Sequence, residues 1–234
     1  MIMQLSNSKR MSLWLIPPDH LRTTLSSIQA DIISNHPKDC HLPRFLPHVT
    51  LLGGVPISDC FPNEQNTGYV LPVQCKNPQN NIDIDEDAAQ IVLRRLQRAF
   101  QSHGGITCDF NKERGVFAAR DEDGEVKWNQ SCLSIIERGI PLMRAIQVAD
   151  EAFFSTMSTK TCNNERLLPG ERHFKPPLFE PHYSFVYGNE AHLVPASLDC
   201  PPSFTSTEMV LMWTYPSTLE GVEEWREIGR FSLI

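Results

Sequence analysis

Apolar positions in this chain fall into short runs and helical spacings. Met11 to Ile16 is an apolar run halted by Pro17-Pro18, the pattern of a buried strand. Leu21, Leu25, Ile28 and Ile32 recur at helical intervals, which predicts a helix ended by Asn35-His36-Pro37. A second strand follows over Phe45 to Leu52, with Gly53-Gly54 closing it. Residues 56 to 81 are rich in Pro, Asn, Gly and Ser and read as mostly irregular, apart from a short strand-like fragment at Tyr69-Val70-Leu71. Ile91, Leu93, Leu96 and Phe100 then mark an amphipathic helix between Asp85 and His103. Asp85, Glu86 and Asp87 suit its positive N-terminus, and Arg94, Arg95 and Arg98 are assigned to a solvated face.

Three strand-like segments come next, Ile106 to Phe110, Gly115 to Ala119 and Val126 to Ile136, the last two joined by a turn at Asp121-Glu122-Asp123-Gly124. Leu142, Ile146, Ala149 and Phe153 behind Pro141 predict another helix. Residues 155 to 180 read as a long polar, proline-rich loop, followed by a strand at His182. Glu208 to Thr214 and Trp225 to Leu233 close the chain as two strands around a turn. Strand, helix and strand recurring in both halves imply an α+β fold built from a duplicated unit.

The two halves share a short motif. Pro47-His48-Val49-Thr50-Leu51 is nearly repeated 134 residues on as Pro181-His182-Tyr183-Ser184-Phe185. Side chains at i and i+2 of a strand share a face, so each motif presents an imidazole beside a hydroxyl. Two such strands at one cleft would suit attack of water on a phosphate: one imidazole takes a proton, the other gives one, and hydroxyls donate to phosphoryl oxygens. One motif alone carries little, because a strand histidine next to a hydroxyl that bonds the backbone looks the same in sequence.

Composition narrows the partners. The 234 residues carry a formal charge of −7, which argues against a protein that grips long nucleic acid through a basic face. A small nucleotide or an RNA end remains compatible. No apolar run approaches the ~20 residues of a membrane span, and the polar start at Met1 to Arg10 lacks the apolar core of a signal peptide. The expectation is an intracellular protein, cytoplasmic by default and monomeric. Seven cysteines stand singly, without a Cys-x-x-Cys pair, and read as mostly free thiols. No metal-ligand or glycine-rich phosphate motif is present, so metal-free chemistry without a cofactor is the simpler expectation.

The paired signatures resemble those of the two-histidine phosphoesterase superfamily. More narrowly, the chain is similar to the cyclic phosphodiesterases of plants and fungi. The similarity lies in Ser12-Leu13-Trp14-Leu15-Ile16-Pro17, in Arg44 to Thr50, in Cys132 through Pro141-Leu142-Met143, in Tyr187, and in Leu211 to Trp225. It comes in islands, and residues 56 to 82 and 155 to 176 are longer than in short plant members. The resemblance implies one bilobal domain over residues 1–234, with antiparallel sheets lining a central cleft and helices outside.

It also implies hydrolysis of nucleoside 2′,3′-cyclic phosphates to 2′-phosphates, with ADP-ribose 1″,2″-cyclic phosphate from tRNA splicing as a further substrate. Fungal relatives bring in possible Golgi association. On this reading His48, Thr50, His182 and Ser184 are catalytic, with His182 as base and His48 as acid. Trp14 and Tyr187 match aromatic positions lining the cleft, and core packing is the alternative for both. Tyr187 presents a difficulty: three residues after Ser184, it falls on the opposite face of a regular strand unless the strand bends or ends there. Trp128, Trp213 and Trp225 are assigned to core or lid, and Arg172, His173 and Lys175 to a solvated loop or a diphosphate contact. Two rival functions remain, action on RNA ends or 2′–5′ oligonucleotides, and nucleotide or RNA binding without turnover.

Overall fold

The computed structural model describes residues 9–36, 41–61, 84–120, 126–135, 140–154, 181–189 and 202–234. The expected strand fragment at 69–71, the turn at 121–124, the loop at 155–180 and Arg172, His173 and Lys175 lie outside them. The architecture is α+β, as expected. Seven antiparallel strands form one sheet, and three helices pack on one of its faces.

In chain order the elements are β1 (Arg10–Ile16), α1 (Asp19–Asn35), β2 (Val49–Pro56), a 3₁₀ turn (Ile57–Cys60), α2 (Ile84–Ala99), β3 (Ile106–Cys108), β4 (Phe110–Arg120), β5 (Val126–Ile135) and α3 (Ile140–Phe154). There follow β6 (His182–Gly188), β7 (Phe204–Ser206), β8 (Glu208–Trp213), a 3₁₀ turn (Glu220–Glu224) and β9 (Arg226–Ser232). The large sheet runs β4-β5-β6-β2-β1-β8-β9, and β3 pairs with β7 in a separate ribbon. The sequence pattern does not anticipate β7. At three residues it is too short for a periodicity signal, and pairing with β3 holds it in place.

Alternation decides which side of the sheet is which. In β1, Met11, Leu13 and Leu15 join the main core with the helices, while Trp14 and Ile16 pack on the opposite face with Val210 and Met212. In β8, Met209, Leu211 and Trp213 turn to the helices, in step with β1. The core face of α1 is Leu25, Gln29 and Ile32, an apolar stripe broken by one amide. On α2 it includes Ala88, Val92 and Leu96, and on α3 Leu142, Ala145 and Ala149, the alanines being small enough to let the two helices approach closely. Arg95 departs from the expected solvated face: it is half-buried, stands over the Phe61 ring and donates to the Cys60 carbonyl at 3.2 Å. Two of the three acids in the first turn of α2 are tied as ion pairs, Asp85 to Lys9 at 3.2 Å and Glu86 to Arg226 at 2.6 Å.

The duplication is visible in the topology. In each half a strand, a helix and an antiparallel partner strand follow one another, β1-α1-β2 and β5-α3-β6, and the two motif strands lie side by side. Their register pairs Val49 with Tyr183 and Thr50 with His182, so the repeat is symmetric about the Val49–Tyr183 pair. The helices cross over: α1 packs against β6 and α3 against β2.

Both motif strands also bulge at the residue after the hydroxyl. Against β1, Trp14 pairs with Thr50 and Leu13 with Leu52, leaving Leu51 extra. Against β5, Cys132 pairs with Ser184 and Ser131 with Val186, leaving Phe185 extra. Strand β2 begins later than expected, because Pro47 has no N–H for a ladder, and it runs through Gly53-Gly54 rather than stopping there. A second irregularity absorbs the glycines, Gly54 taking a positive φ of 66°.

Candidate active site

Three of the four motif side chains lie buried on the sheet, away from bulk water. His48 and Ser184 have no exposed surface and Thr50 has 6%, while His182 is partly exposed. Thr50 stands opposite His182 across the β2–β6 pair and opposite Trp14 across β1–β2. The close packing of two strands, rather than a fold-back of loops, therefore brings residues 134 positions apart into one group.

His48 is held firmly. Its Nδ1 lies 2.6 Å from the Leu46 carbonyl, and a carbonyl only accepts, so Nδ1 carries the proton and the lone pair is on Nε2. Pro47 between the two residues restricts the backbone that aims this carbonyl. Nε2 is out of solvent contact and has no hydrogen-bond partner among the described residues. Burial lowers the imidazole pKa from 6.5 to about 3, the Leu46 carbonyl pulling it upward by less and His182 adding to the lowering. His48 is thus a neutral imidazole with its lone pair on Nε2. A neutral ring of this kind is the form that accepts a proton, which bears on the expected role of His48 as proton donor.

Aromatic rings enclose the group. Trp14 stacks on His48, Phe45 meets the same imidazole edge-on at 5.7 Å, and Phe45 lies 4.6 Å from Tyr187. Trp225 stands 6.1 Å from Trp14 and 5.8 Å from Tyr187, and Trp128 lies 6.4 Å from Tyr187. Trp225 is fixed by donating to the Pro216 carbonyl at 3.0 Å. Trp213, by contrast, belongs to the helix-side core and donates to Glu86 at 3.1 Å.

The difficulty over Tyr187 resolves at the β6 bulge. Tyr183, Phe185 and Val186 all lie in the helix-side core, so the extra residue shifts the alternation by one. Tyr187 then emerges on the same face as Ser184, and its hydroxyl donates to Ser184 Oγ at 3.3 Å. Trp14 and Tyr187 both border the motif residues, and both are almost wholly buried. Phe45, Trp128 and Trp225 are neighbours that sequence reasoning did not assign to the site. Phe45 falls within the Arg44 to Thr50 island, and that position was the one available signal for it.

Among the described residues there is no group of three His, Cys, Asp or Glu side chains placed to hold a metal ion, and no helix long and apolar enough to cross a membrane. The constellation defines a class: an α+β protein with two histidines and two hydroxyl residues on adjacent strands of one antiparallel sheet.

No protein-family model matches the chain, and no curated protein matches it in sequence. Solved structures with a similar arrangement include Escherichia coli LigT complexed with 3′-AMP, at a TM-score of 0.47 and 12% identity over 97% of this chain and 99% of that one. E. coli LigT complexed with NADP+ gives 0.46 and 14% over 96% and 98%. TT0787 of Thermus thermophilus gives 0.46 and 14% over 96% and 97%. At these identities the activity has to be derived from the residues themselves.

Proposed function

We propose that this site hydrolyses nucleoside 2′,3′-cyclic phosphates to 2′-phosphates without a metal ion, within a single domain spanning residues 1–234. The observation that carries the reading is the unequal setting of the two imidazoles: His48 buried, neutral and with its lone pair on Nε2, His182 on the adjacent strand and partly exposed. Environments that differ in this way separate a base from an acid. Adjacency of the motif strands in one sheet supports the single domain.

In the proposed reaction a water attacks phosphorus in line with the 3′ oxygen, and its proton passes to His48 Nε2. The P–O3′ bond breaks, and protonated His182 gives its proton to the departing 3′ oxygen. The phosphate stays on the 2′ oxygen. Hydrogen bonds from Thr50 and Ser184 meet the charge that grows on the equatorial oxygens. Because Nε2 is out of solvent contact, the cover over the ring must part as substrate enters.

ADP-ribose 1″,2″-cyclic phosphate offers the same strained five-membered ring and belongs to the same reading. The test is an assay with chelator on adenosine 2′,3′-cyclic phosphate that separates 2′- from 3′-monophosphate. The 2′-phosphate alone is the expected product. Formation of the 3′-phosphate overturns the assigned leaving oxygen, and no product at all moves the reading to RNA ends or to binding without turnover.

A further inference from the structure

The buried stripe of α1 contains one polar residue, and its amide reaches the site strand. Gln29 is 7% exposed between Leu25 and Ile32, and its Nε2 donates to the Phe185 carbonyl at 3.3 Å. Phe185 is the extra residue of the β6 bulge, without an opposite number in β5. A bulge residue has lost its ladder partner, and a buried carbonyl needs a donor. An amide in the middle of an apolar stripe supplies one.

The same bulge puts the phenol of Tyr187 beside Ser184 Oγ. Without it, regular alternation would turn Tyr187 into the helix-side core and away from the site. The first motif strand has an equivalent bulge at Leu51, but Gly53 occupies the place that corresponds to Tyr187, so only the second motif strand carries a phenol at this position. We propose that Gln29 is a positioning residue of the active site: by holding the Phe185 carbonyl it maintains the bulge that keeps Tyr187 on Ser184. It acts through Tyr187 and does not touch substrate. The hydrogen bond from Tyr187 helps to hold the Ser184 oxygen in place.

This proposal rests on the hydrolytic reading above, and two measurements separate their failures. The first needs no turnover. The chain has four tyrosines, so ring ¹³C-labelling gives four signals, and Tyr187→Phe identifies the Tyr187 signal by its loss. Gln29→Met, which fills the same space without a donor, should shift the Tyr187 signal and leave that of Tyr215 in place. Gln29→Asn, which withdraws the amide by one methylene, should do the same if the Met variant does not fold. An unmoved Tyr187 signal in a folded variant overturns the proposal, whatever the enzyme does.

The second measurement is kinetic. Gln29→Met should lower kcat by about 3- to 10-fold, the scale of one net hydrogen bond, with KM nearly unchanged. In a Tyr187→Phe background the same substitution should have no further effect on kcat. An equal loss in both backgrounds overturns action through Tyr187. Absence of turnover in the unaltered protein defeats the hydrolytic reading and leaves the spectroscopic result to decide the role of Gln29.

Discussion

Trp14 lies flat on His48, the ring centroids 3.6 Å apart and the planes within 10° of parallel. The indole covers one face of the imidazole and Phe45 meets it edge-on, while the Leu46 carbonyl holds Nδ1. Stacking excludes water from the ring, and exclusion of water is the main cause of its lowered pKa. The aromatic residue and the basic nitrogen are thus one device. Trp14 is buried and at the same time stacked on a motif histidine, so core packing does not exclude the proposed place of Trp14 at the site.

Shortening Trp14 should separate these contributions. Trp14→Phe keeps an aromatic face on His48 and should retain most of the stability and turnover. Trp14→Ala should cost about 3–5 kcal/mol, as for other large buried side chains. Urea unfolding, with kcat measured on the folded fraction, compares the two. Equal stability of Trp14→Ala and the unaltered chain would show that the stack contributes little.

Either histidine should be indispensable to turnover. His48→Ala and His182→Ala should each reduce kcat/KM by about 10²–10⁴-fold, the usual worth of a general acid or base. With His48 as base, protonation of the catalytic base should affect the rate only well below the normal imidazole range. The acid limb of the pH–rate profile should therefore lie low, and the alkaline limb should disappear when His182 is replaced. A profile whose acid limb stands near pH 6.5 would return the base role to His182.

Stability should depend on pH through the same ring. His48 titrates near 3 in the fold against 6.5 for an ordinary histidine, so between these values the unfolded chain binds more protons. The contribution of this residue to stability is complete above the upper value and is lost as pH falls toward the lower one. The slope is at most about 1.4 kcal/mol per pH unit. His48→Phe should therefore lose about 2 kcal/mol less than the unaltered chain between pH 7.5 and pH 5. Denaturant titrations at the two pH values provide the comparison.

The loop that carries Trp225 depends on one close approach. A Cβ at Gly221 would stand 2.5 Å from the Pro216 carbonyl oxygen, inside any tolerated contact. Trp225 donates to that same carbonyl, and Leu219 and Val222 pack with Tyr187. Gly221→Ala should lower Tm and shift the tryptophan emission, because backbone must move to admit the methyl group. An unchanged Tm and spectrum would mean that the turn gives way without disturbing the ring.

Two cysteines should be chemically silent in the native protein. Burial pushes both Cys60 and Cys108 up to about 12, which leaves almost no thiolate at neutral pH. Alkylation followed by peptide mapping should find them unmodified in native buffer and modified in urea. Rapid native labelling of either would show that the core opens readily around it.

The sequence by itself determined what depends on neighbours along the chain. The apolar run from Met11 to Ile16 marked β1, helical spacing located α1 and α2, and the two Pro-His-x-hydroxyl motifs marked the residues that meet. Only the tertiary structure decided what depends on residues far away in the chain. A bulge changes the phase of a strand by one residue, and whether one forms is settled by the partner strand, so the side on which Tyr187 emerges could not be read from β6 alone. The neutral state of His48 likewise follows from desolvation and the position of the Leu46 carbonyl, with Trp14 of β1 and Phe45 of the segment before β2 supplying the apolar walls. The amide of Gln29 finds the Phe185 carbonyl only because α1 crosses to the strand of the other half. Local pattern fixes which way a side chain points in a regular element; packing fixes where the element departs from regularity and how strongly water is excluded there.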